Sequence, residues 1–289
     1  MRSIAFAFAV LLGLTVVGYG AVYGLSEIKL RDVSPPPPFT HPVETDSLTL
    51  ERGRHIARTR GCFGCHGQQL EGRVFTEEWE WVDRAVAPNL AAYAQQTDPS
   101  TLEAAIRHGI GHDGRALWSM PSYNWVHLTD ADVAALIAYL QSAPVETVDL
   151  PSPKLGFRAR WDIATGSEGH MAQWAEDVPP RRSNLADPQL ERGEYLAMTA
   201  CNECHGFDLR GGFGAPDLAL LVGYSESEFR RLMEEGVARG GRDSLRLMTM
   251  VARDRFAYFT EQERADLYAF LQTLAEEPVP EGVFWRAQP

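Results

Sequence analysis

The sequence predicts a mainly α-helical protein, with two tandem copies of one domain behind an N-terminal transmembrane helix. Three observations lead to this prediction. An uncharged apolar run covers residues 3–25, two later stretches repeat each other in the same order, and apolar residues in the repeats recur at helical spacing. We find no convincing strand-like alternation in the sequence.

The composition is that of a folded protein. The chain has 289 residues, of which 45% are hydrophobic and 10% aromatic, more than a disordered chain would contain. The net charge of −12 argues against nucleic-acid binding, which needs a basic surface. The length suits about two domains of modest size.

The first element is the apolar run near the N-terminus. A bilayer needs about 20 apolar residues in a helix, whereas a cleaved signal peptide has an apolar core of about 7–15. We therefore predict an uncleaved signal-anchor helix over residues 1–25, with Tyr19 and Tyr23 at the membrane interface. Pro35–Pro38 then predict an extended Pro-rich tether over residues 26–44, either a disordered connector or a spacer that lifts a soluble part from the membrane.

The repeat is visible in three pairs of matching segments. They are LERGRHIARTRGCFGCHG (50–67) with LERGEYLAMTACNECHG (190–206), APNL (87–90) with APDL (215–218), and LTDADVAALIAYLQS (128–142) with FTEQERADLYAFLQT (259–273). In the first pair, the second segment is one residue shorter than the first. A tandem duplication of a unit of ordinary domain size accounts for this order.

The repeats set the predicted domain boundaries. The two copies cover residues 45–146 and 184–278, and the last residues, 279–289, form a C-terminal tail. Residues 147–183 have no counterpart in the repeat, and their Pro, Gly and Trp content predicts a packed but irregular connector.

Helix-start signals occur in both copies. Asp98-Pro99 and Asp187-Pro188 each place a capping residue before a proline at the first helical position. Thr129 opens the last helix of the first copy. In the second copy, Ser225-x-x-Glu228 and Thr260-x-x-Glu263 are capping boxes.

All four cysteines lie in two C-x-x-C-H motifs. Cysteines three positions apart face the same way on a helical turn, so two thioether bonds could hold a planar cofactor whose iron the adjacent histidine binds. C-x-x-C-H is the signature of c-type haem attachment. The predicted attachment and histidine-ligand residues are Cys62, Cys65 and His66 in the first copy and Cys201, Cys204 and His205 in the second.

Other uses of paired cysteines fit less well. A zinc ribbon needs two pairs separated by about 15–20 residues, and far more residues separate Cys65 from Cys201. A thioredoxin-like pair needs a βαβ context. A disulfide within one motif would leave the histidine unexplained. We therefore predict two c-type haems.

A methionine is the expected sixth iron ligand, because methionine raises the potential of a haem electron carrier. In the first copy Met120 is the candidate, with His108 and His112 as alternatives. In the second copy Met248 and Met250 both precede the last helix, and spacing from that helix favours Met250. Every single methionine can also be a core residue.

Two further features of the first copy carry alternatives. Residues 73–85 are extra relative to the second copy and contain two tryptophans and four acidic residues. We expect a loop that packs its own aromatics, with a partner surface as the alternative. A run of arginines precedes the first motif and is either solvated or used for docking or haem-propionate pairing: Arg52, Arg54, Arg58 and Arg60.

Together these motifs resemble class I cytochrome c twice over, and the chain resembles membrane-anchored dihaem cytochromes c of bacteria. The resemblance covers about two thirds of the chain. It implies that the carbonyls of Pro88 and Pro216 accept hydrogen bonds from the haem-binding histidines. It also implies that "LMTMVARDRF" supplies Met248, three residues before "VAR", as the second sixth ligand, with Met250 as the alternative.

The resemblance further implies that an early helix crosses the last one in each copy. A glycine meets an aromatic ring at the crossing, and the matching pairs are Gly53 with Tyr139 and Gly193 with Phe270.

The function implied by the resemblance is one-electron transfer, with no catalytic residue assigned. The expected partners are a quinol-oxidising complex, a terminal oxidase or a periplasmic dehydrogenase of a respiratory chain. The expected location is the bacterial inner membrane, as a single-pass protein with its haem domains on the periplasmic side. Two alternatives stay open: a dihaem oxidoreductase with one catalytic haem, and a haem-bearing docking subunit of a larger oxidase or dehydrogenase complex.

Overall fold

The computed structural model of the protein describes residues 2–181, 185, 187–212 and 214–274. The predicted C-terminal tail, residues 279–289, lies outside the described residues. The fold is mainly helical, which confirms the predicted class. Among the described residues the sheet consists of two short antiparallel strands, β1 (Arg73–Val74) and β2 (Val86–Ala87), with Arg73 opposite Ala87.

Helices carry the remaining architecture. In chain order they are α1 (Arg2–Arg31), α2 (Ser47–Thr59), α3 (Cys62–His66), α4 (Leu90–Gln95), α5 (Pro99–His108), α6 (Asp130–Ser142), α7 (Gly156–Thr165), α8 (Met171–Glu176), α9 (Pro188–Leu196), α10 (Asn202–His205), α11 (Glu226–Glu235), α12 (Leu247–Asp254) and α13 (Glu261–Thr273). Single 3-10 turns lie at Ser122–Trp125, Leu218–Gly223, Arg239–Gly241 and Phe256–Tyr258, and a π-helical turn at Ala197–Cys201.

The predicted helix crossing is present in both repeats. A Cβ atom on Gly53 of α2 would overlap the carbonyl oxygen of Ala135 in α6, and one on Gly193 of α9 would overlap that of Asp266 in α13. The Cβ atoms of Tyr139 and Phe270 lie beside the two glycines. Only glycine permits such a close approach, so each pair of helices packs backbone to backbone.

The predicted helix starts are also present. The side chains of Asp98, Asp187 and Thr129 accept hydrogen bonds from the first turns of α5, α9 and α6. Both capping boxes form, with Glu228 returning to the backbone of Ser225 and Glu263 to that of Thr260.

The N-terminal helix extends further than predicted. α1 ends at Arg31 rather than at residue 25, because Val22, Ser26 and Leu30 on its last turns are buried against the body of the protein. Within the described residues, one helical segment, Ser3–Arg31, is long and apolar enough to cross a membrane.

The Pro-rich segment is not a free spacer over its predicted range, residues 26–44. Its first six residues belong to α1, and the extended remainder lies along the first repeat. Val33, Phe39 and Val43 are partly buried against the cores there. The amide of Ala116 donates to the carbonyl of Leu30, with 2.7 Å between nitrogen and oxygen. The segment therefore follows the first repeat as a strap.

The connector, predicted to be irregular, contains the two helices α7 and α8. Leu155, Ala159 and Ile163 bury their side chains against Phe75 and Val82 of the insertion at 73–85. The indole of Trp81 donates to Asp162, with 3.1 Å from Nε1 to Oδ2. The insertion therefore packs its own aromatics against the connector, in agreement with the expected self-packing loop.

The two repeats contact each other through reciprocal pairs. His55 and Tyr195 occupy the same position in the repeat, and so do Asp132 and Glu263 at the third residue of the last helix. His55 Nε2 lies 2.9 Å from Glu263 Oε1, and the hydroxyl of Tyr195 donates to the Asp132 carboxylate. Each repeat thus presents the same surface to the other, as in an isologous dimer interface.

Candidate functional site

Each C-x-x-C-H motif forms one short helical turn. α3 lies between Gly61 and Gly67, both with positive φ (87° and 83°), so the chain turns sharply on either side of the motif. In the second motif, Cys201 ends the π-helical turn, α10 holds Cys204 and His205, and Gly206 follows with a φ of 74°. The cysteine and histidine side chains of each motif therefore leave the same compact turn.

A proline carbonyl orients each histidine. Nδ1 of His66 donates to the carbonyl oxygen of Pro88 at 3.0 Å, and Nδ1 of His205 donates to that of Pro216 at 2.8 Å. A proton held on Nδ1 leaves Nε2 as the metal-binding nitrogen and fixes the ring plane. Burial lowers the pKa of both histidines, with the carbonyl bonds opposing it, so the neutral, ligating form is favoured.

The surroundings of the cysteines favour an uncharged sulfur atom over a thiolate. Burial raises the pKa of Cys62 to about 11 and that of Cys201 to about 12, so neither favours a thiolate. None of the four cysteines is in a disulfide, and no group of three or more His, Cys, Asp or Glu side chains in the described residues could hold a metal ion. A thioether is neutral and zinc prefers thiolates, so these residues fit covalently attached haem and not zinc.

Met120 lies in the core of the first repeat. It is partly buried against the cluster that contains Phe63, and Cys62 packs on the same cluster. The 3-10 turn that follows is fixed by Ser122, whose Oγ donates to the carbonyl of Ala105 at 2.6 Å. His108, the alternative to Met120 as iron ligand, already has a partner: its Nε2 lies 3.0 Å from Glu103 Oε1. The environment of Met120 therefore favours it over His108 as the sixth ligand.

The two methionines of the second repeat differ in environment. Met248 is partly buried against the cluster that contains Cys201, whereas the Met250 side chain is 54% exposed. Arg246, with a positive φ of 54°, turns the chain immediately before α12. A ligand must face the core that surrounds the cofactor, so the geometry favours Met248.

Two buried donors, Nε1 of Trp79 and Nδ2 of Asn124, lack a hydrogen-bond partner in the described residues. The indole nitrogen of Trp79 is fully buried without a hydrogen bond there, and the ring packs between the apolar clusters of the second repeat and of the connector. A buried N–H normally has an acceptor. The carboxylates of a haem are acceptors that the polypeptide does not itself supply, so the orphan indole N–H of Trp79 also fits a haem-bearing protein.

Sequence reasoning missed an ion pair beside both motifs. Nη1 of Arg255 lies 2.6 Å from Oε2 of Glu203, the residue before Cys204. The same guanidinium lies against the first motif, since a Cβ atom on Gly61 would overlap it and one on Gly64 would lie 3.6 Å from Nη2. Although burial opposes its charge, Glu203 holds the pKa of Arg255 above its usual value.

Other contacts bring the motifs to the interface between the repeats. Asn202, inside the second motif, donates from Nδ2 to the carbonyl of Asn124 at 3.1 Å, and Asn124 follows Met120 in the first repeat. Arg60 is buried and donates from Nε to Thr199 Oγ1 at 3.2 Å. Arg60 is thus an interface residue and not a solvated arginine. No signal within one repeat marks these residues, because their partners lie in the other.

Comparisons with known proteins agree with a haem-attachment site in each repeat. The family model for cytochrome c matches residues 50–144 and 190–275. The chain is 29% identical over 195 residues to the fructose dehydrogenase cytochrome subunit of Gluconobacter japonicus, covering 62% of this chain and 38% of that protein. It is 28% identical over 200 residues to one of the subunits of the nicotinate dehydrogenase of Pseudomonas putida, covering 65% of this chain and 16% of that one. The matched region thus spans well under two thirds of either relative.

Proposed function

The chain belongs to the cytochrome c family, and on this premise we propose that it carries single electrons from a dehydrogenase towards a respiratory chain at a bacterial membrane. Its two cytochrome c domains bind haem c. When bound, haem c supplies an iron that accepts and releases one electron. The remaining steps concern what the polypeptide does around it.

The proposed site residues repeat in the two domains. In the first, Cys62 and Cys65 would hold the haem covalently, and His66 and Met120 would bind its iron. Cys201, Cys204, His205 and Met248 would do the same in the second. Pro88 and Pro216 orient the two histidines through the hydrogen bonds described above. Two protein ligands per iron leave no open position for a substrate, which favours electron transfer over catalysis.

The observation that best supports transfer within the chain is the position of the two motifs. Both lie at the interface between the repeats, where Asn124 contacts Asn202 and Arg255 contacts both motifs. Asn124, Asn202 and Arg60 are buried in this contact. An electron that enters one domain therefore has a packed, fixed route to the other.

The relatives support a dehydrogenase as the electron donor. One is by name a dehydrogenase cytochrome subunit, and the other is a subunit of a different dehydrogenase. We propose that this chain serves such an enzyme as its haem-bearing subunit. A quinol-oxidising complex or a terminal oxidase is then the partner on the other side.

The proposed location is supported by the apolar helix and by the haem-attachment motifs. The apolar helix Ser3–Arg31 is proposed to remain as a single-pass anchor. Haem is attached to C-x-x-C-H motifs outside the cytoplasm in this family, so both haem domains lie on the periplasmic side.

Haem content and spectra test the site. The purified chain should contain two haems by pyridine haemochromogen assay, and a reductive titration should resolve two one-electron steps. Both ferric haems should be low-spin, with the weak near-infrared band of a sulfur ligand. A high-spin ferric haem would overturn the pure carrier in favour of a catalytic haem.

Purification from native membranes tests the partner. The detergent-solubilised protein should bring with it a dehydrogenase, and addition of that enzyme's substrate should reduce both haems. If the companion subunits belong to an oxidase and no dehydrogenase reduces the haems, the assignment of the donor is wrong.

A further inference from the structure

Helix α1 changes its surroundings abruptly near its middle. Every residue from Ser3 to Ala21 is exposed, whereas Val22, Ser26 and Leu30 are buried. At 1.5 Å per residue the exposed part is about 28 Å long. This nearly equals the hydrocarbon thickness of a bilayer, about 30 Å. The protein body therefore begins where the bilayer would end, at the level of Tyr19–Tyr23.

Helix α7 of the connector runs beside α1 in the same direction. The ring of Phe157 stacks on that of Tyr19, with 5.2 Å between centroids. One turn later Arg160 lies 4.6 Å from the Tyr23 ring and donates to Ser26 Oγ at 2.9 Å. The first turn of α7 is therefore level with the predicted edge of the membrane.

The outer face of α7 carries large exposed rings. Phe157 is 42% exposed and Trp161 is 50% exposed, and their ring centroids lie 6.4 Å apart. With Tyr19 and Tyr23 they form a row of four aromatic side chains, which we call the aromatic row. Aromatic rings are enriched at the membrane–water interface because they combine apolar surface with polar edges.

We propose that Phe157 and Trp161 insert into the interface of the periplasmic leaflet and form a second membrane contact beside the anchor. This inference rests on the proposed function in one respect, that α1 spans the membrane. The occupant of the exposed face is the lipid bilayer because the face continues the exposed apolar surface of α1. The neighbouring exposed side chain of Arg158 suits lipid phosphates, whereas Lys154 pairs with Asp83 at 2.7 Å.

The contact would fix the first haem domain with respect to the membrane. The connector is tied to that domain by the paired backbone bonds between Arg84 and Lys154, 2.9 and 3.0 Å long. α1 is tied to it by Arg115, whose Nη1 lies 3.1 Å from Glu27 Oε1. A body held by both helices keeps one height and one orientation, whereas a body on a flexible tether would not.

Photocrosslinking in lipid nanodiscs tests the contact directly. The photoreactive residue p-benzoylphenylalanine would replace Trp161 in the full haem-loaded chain, and adducts would be identified by mass spectrometry. The matched control carries the same residue at Leu220, which is 46% exposed but lies in the second repeat. We expect lipid adducts at position 161 at several times the yield at position 220. Equal yields, or crosslinks from 161 to protein instead of lipid, would overturn the inference.

Two readouts separate this inference from the proposed anchor. If the unmodified chain does not enter nanodiscs at all, the membrane anchor and the second contact both fail. If it enters and position 161 labels no lipid, only the second contact fails. In oriented bilayers, Phe157→Ser with Trp161→Ser should reduce the linear dichroism of the haem absorption, and Leu220→Ser should not. Unchanged dichroism in the double variant would show that α7 does not orient the domain.

Discussion

Arg255 and Glu203 form a 2.6 Å ion pair at the point where the two haem-attachment motifs approach each other. Glu203 belongs to the second motif, and the Arg255 guanidinium also lies against Gly61 and Gly64 at the first. The pair is mostly shielded from solvent, with the Arg255 side chain 20% exposed. The Glu203 side chain is 33% exposed, so solvent partly screens the charges that the pair presents to both motifs.

Arg255→Gln should lower the reduction potential of both haems. Removing a positive charge destabilises the electron-rich ferrous state, and Glu203 is then left uncompensated. A unit charge at roughly 10 Å with an effective dielectric constant of about 20 contributes about 1.7 kcal/mol. For a one-electron couple this equals about 70 mV, and partial solvent screening reduces it to about 30–70 mV. Spectroelectrochemical titration measures the shift.

Two companion variants make that test specific. Glu203→Gln should raise the potentials, because it removes the opposite charge from the same place. Arg253→Gln removes an exposed arginine two residues away and should leave the potentials nearly unchanged. Equal shifts in Arg253→Gln and Arg255→Gln would mean that only the overall charge matters.

Met248→Ala should abolish the sulfur-to-iron band of the second haem and lower its potential, while the first haem keeps its band. Met250→Ala should change neither, because Met250 is 54% exposed and Met248 packs against the core cluster that contains Cys201. Near-infrared absorption of the ferric protein reads out the ligand. A lost band in Met250→Ala alone would reverse the assignment.

Gly193→Ala should destabilise the second repeat by about 1–3 kcal/mol, as overpacking does in well-packed cores. The added methyl group would overlap the carbonyl oxygen of Asp266, so α9 and α13 must separate. Urea unfolding followed by helical circular dichroism gives the change in the free energy of unfolding. Gly20→Ala, in a helical position with open space around it, should leave the midpoint of the haem domains unchanged.

The His55–Glu263 contact should give the repeat interface a pH dependence. Burial alone would raise the pKa of Glu263, but the hydrogen bond and charge of His55 outweigh it and lower the folded-state value. A carboxyl whose folded pKa lies below its unfolded pKa stabilises the fold above the unfolded value, about 4.3. That stabilisation is lost as the pH falls through the lower, folded pKa.

Glu263→Gln isolates this charge, because glutamine still completes the capping box with Thr260. Urea midpoints should show the variant less stable by about 1 kcal/mol near pH 7, with the difference shrinking as the pH falls below about 4.3. Glu261→Gln, exposed on the same helical turn, is the control and should show a much smaller difference. A gap between Glu263→Gln and the parent that keeps its full size as the pH falls below about 4.3 would contradict the electrostatic explanation.

The parts of this protein that could be predicted from its sequence are local in the chain. The spacing of Cys62, Cys65 and His66 is set by one helical turn, and capping signals such as Thr260 with Glu263 act over three residues. The aligned repeats add the domain plan, because a duplicated fold repeats its own pattern. These features can be predicted without knowing which residues of the other repeat lie across the interface.

The remaining features depend on contacts between distant segments. Nothing near Ser26 in the sequence predicts that α1 continues to Arg31, because the polar turns are stabilised by burial against α7. The sequence alone suggests that Arg60 is exposed to solvent. In the structure Arg60 is buried, and Thr199 of the other repeat accepts its hydrogen bond. The choice between Met248 and Met250 likewise depended on which side chain faces the core.

The reciprocal interface formed by His55, Glu263, Tyr195 and Asp132 has one further consequence. Two separate single-haem proteins joined by such a surface would part on dilution, and each electron would then wait for a new collision. Here both halves of the surface belong to one polypeptide, so the second binding event is intramolecular. The rate of electron transfer between the two haems is therefore independent of the protein concentration.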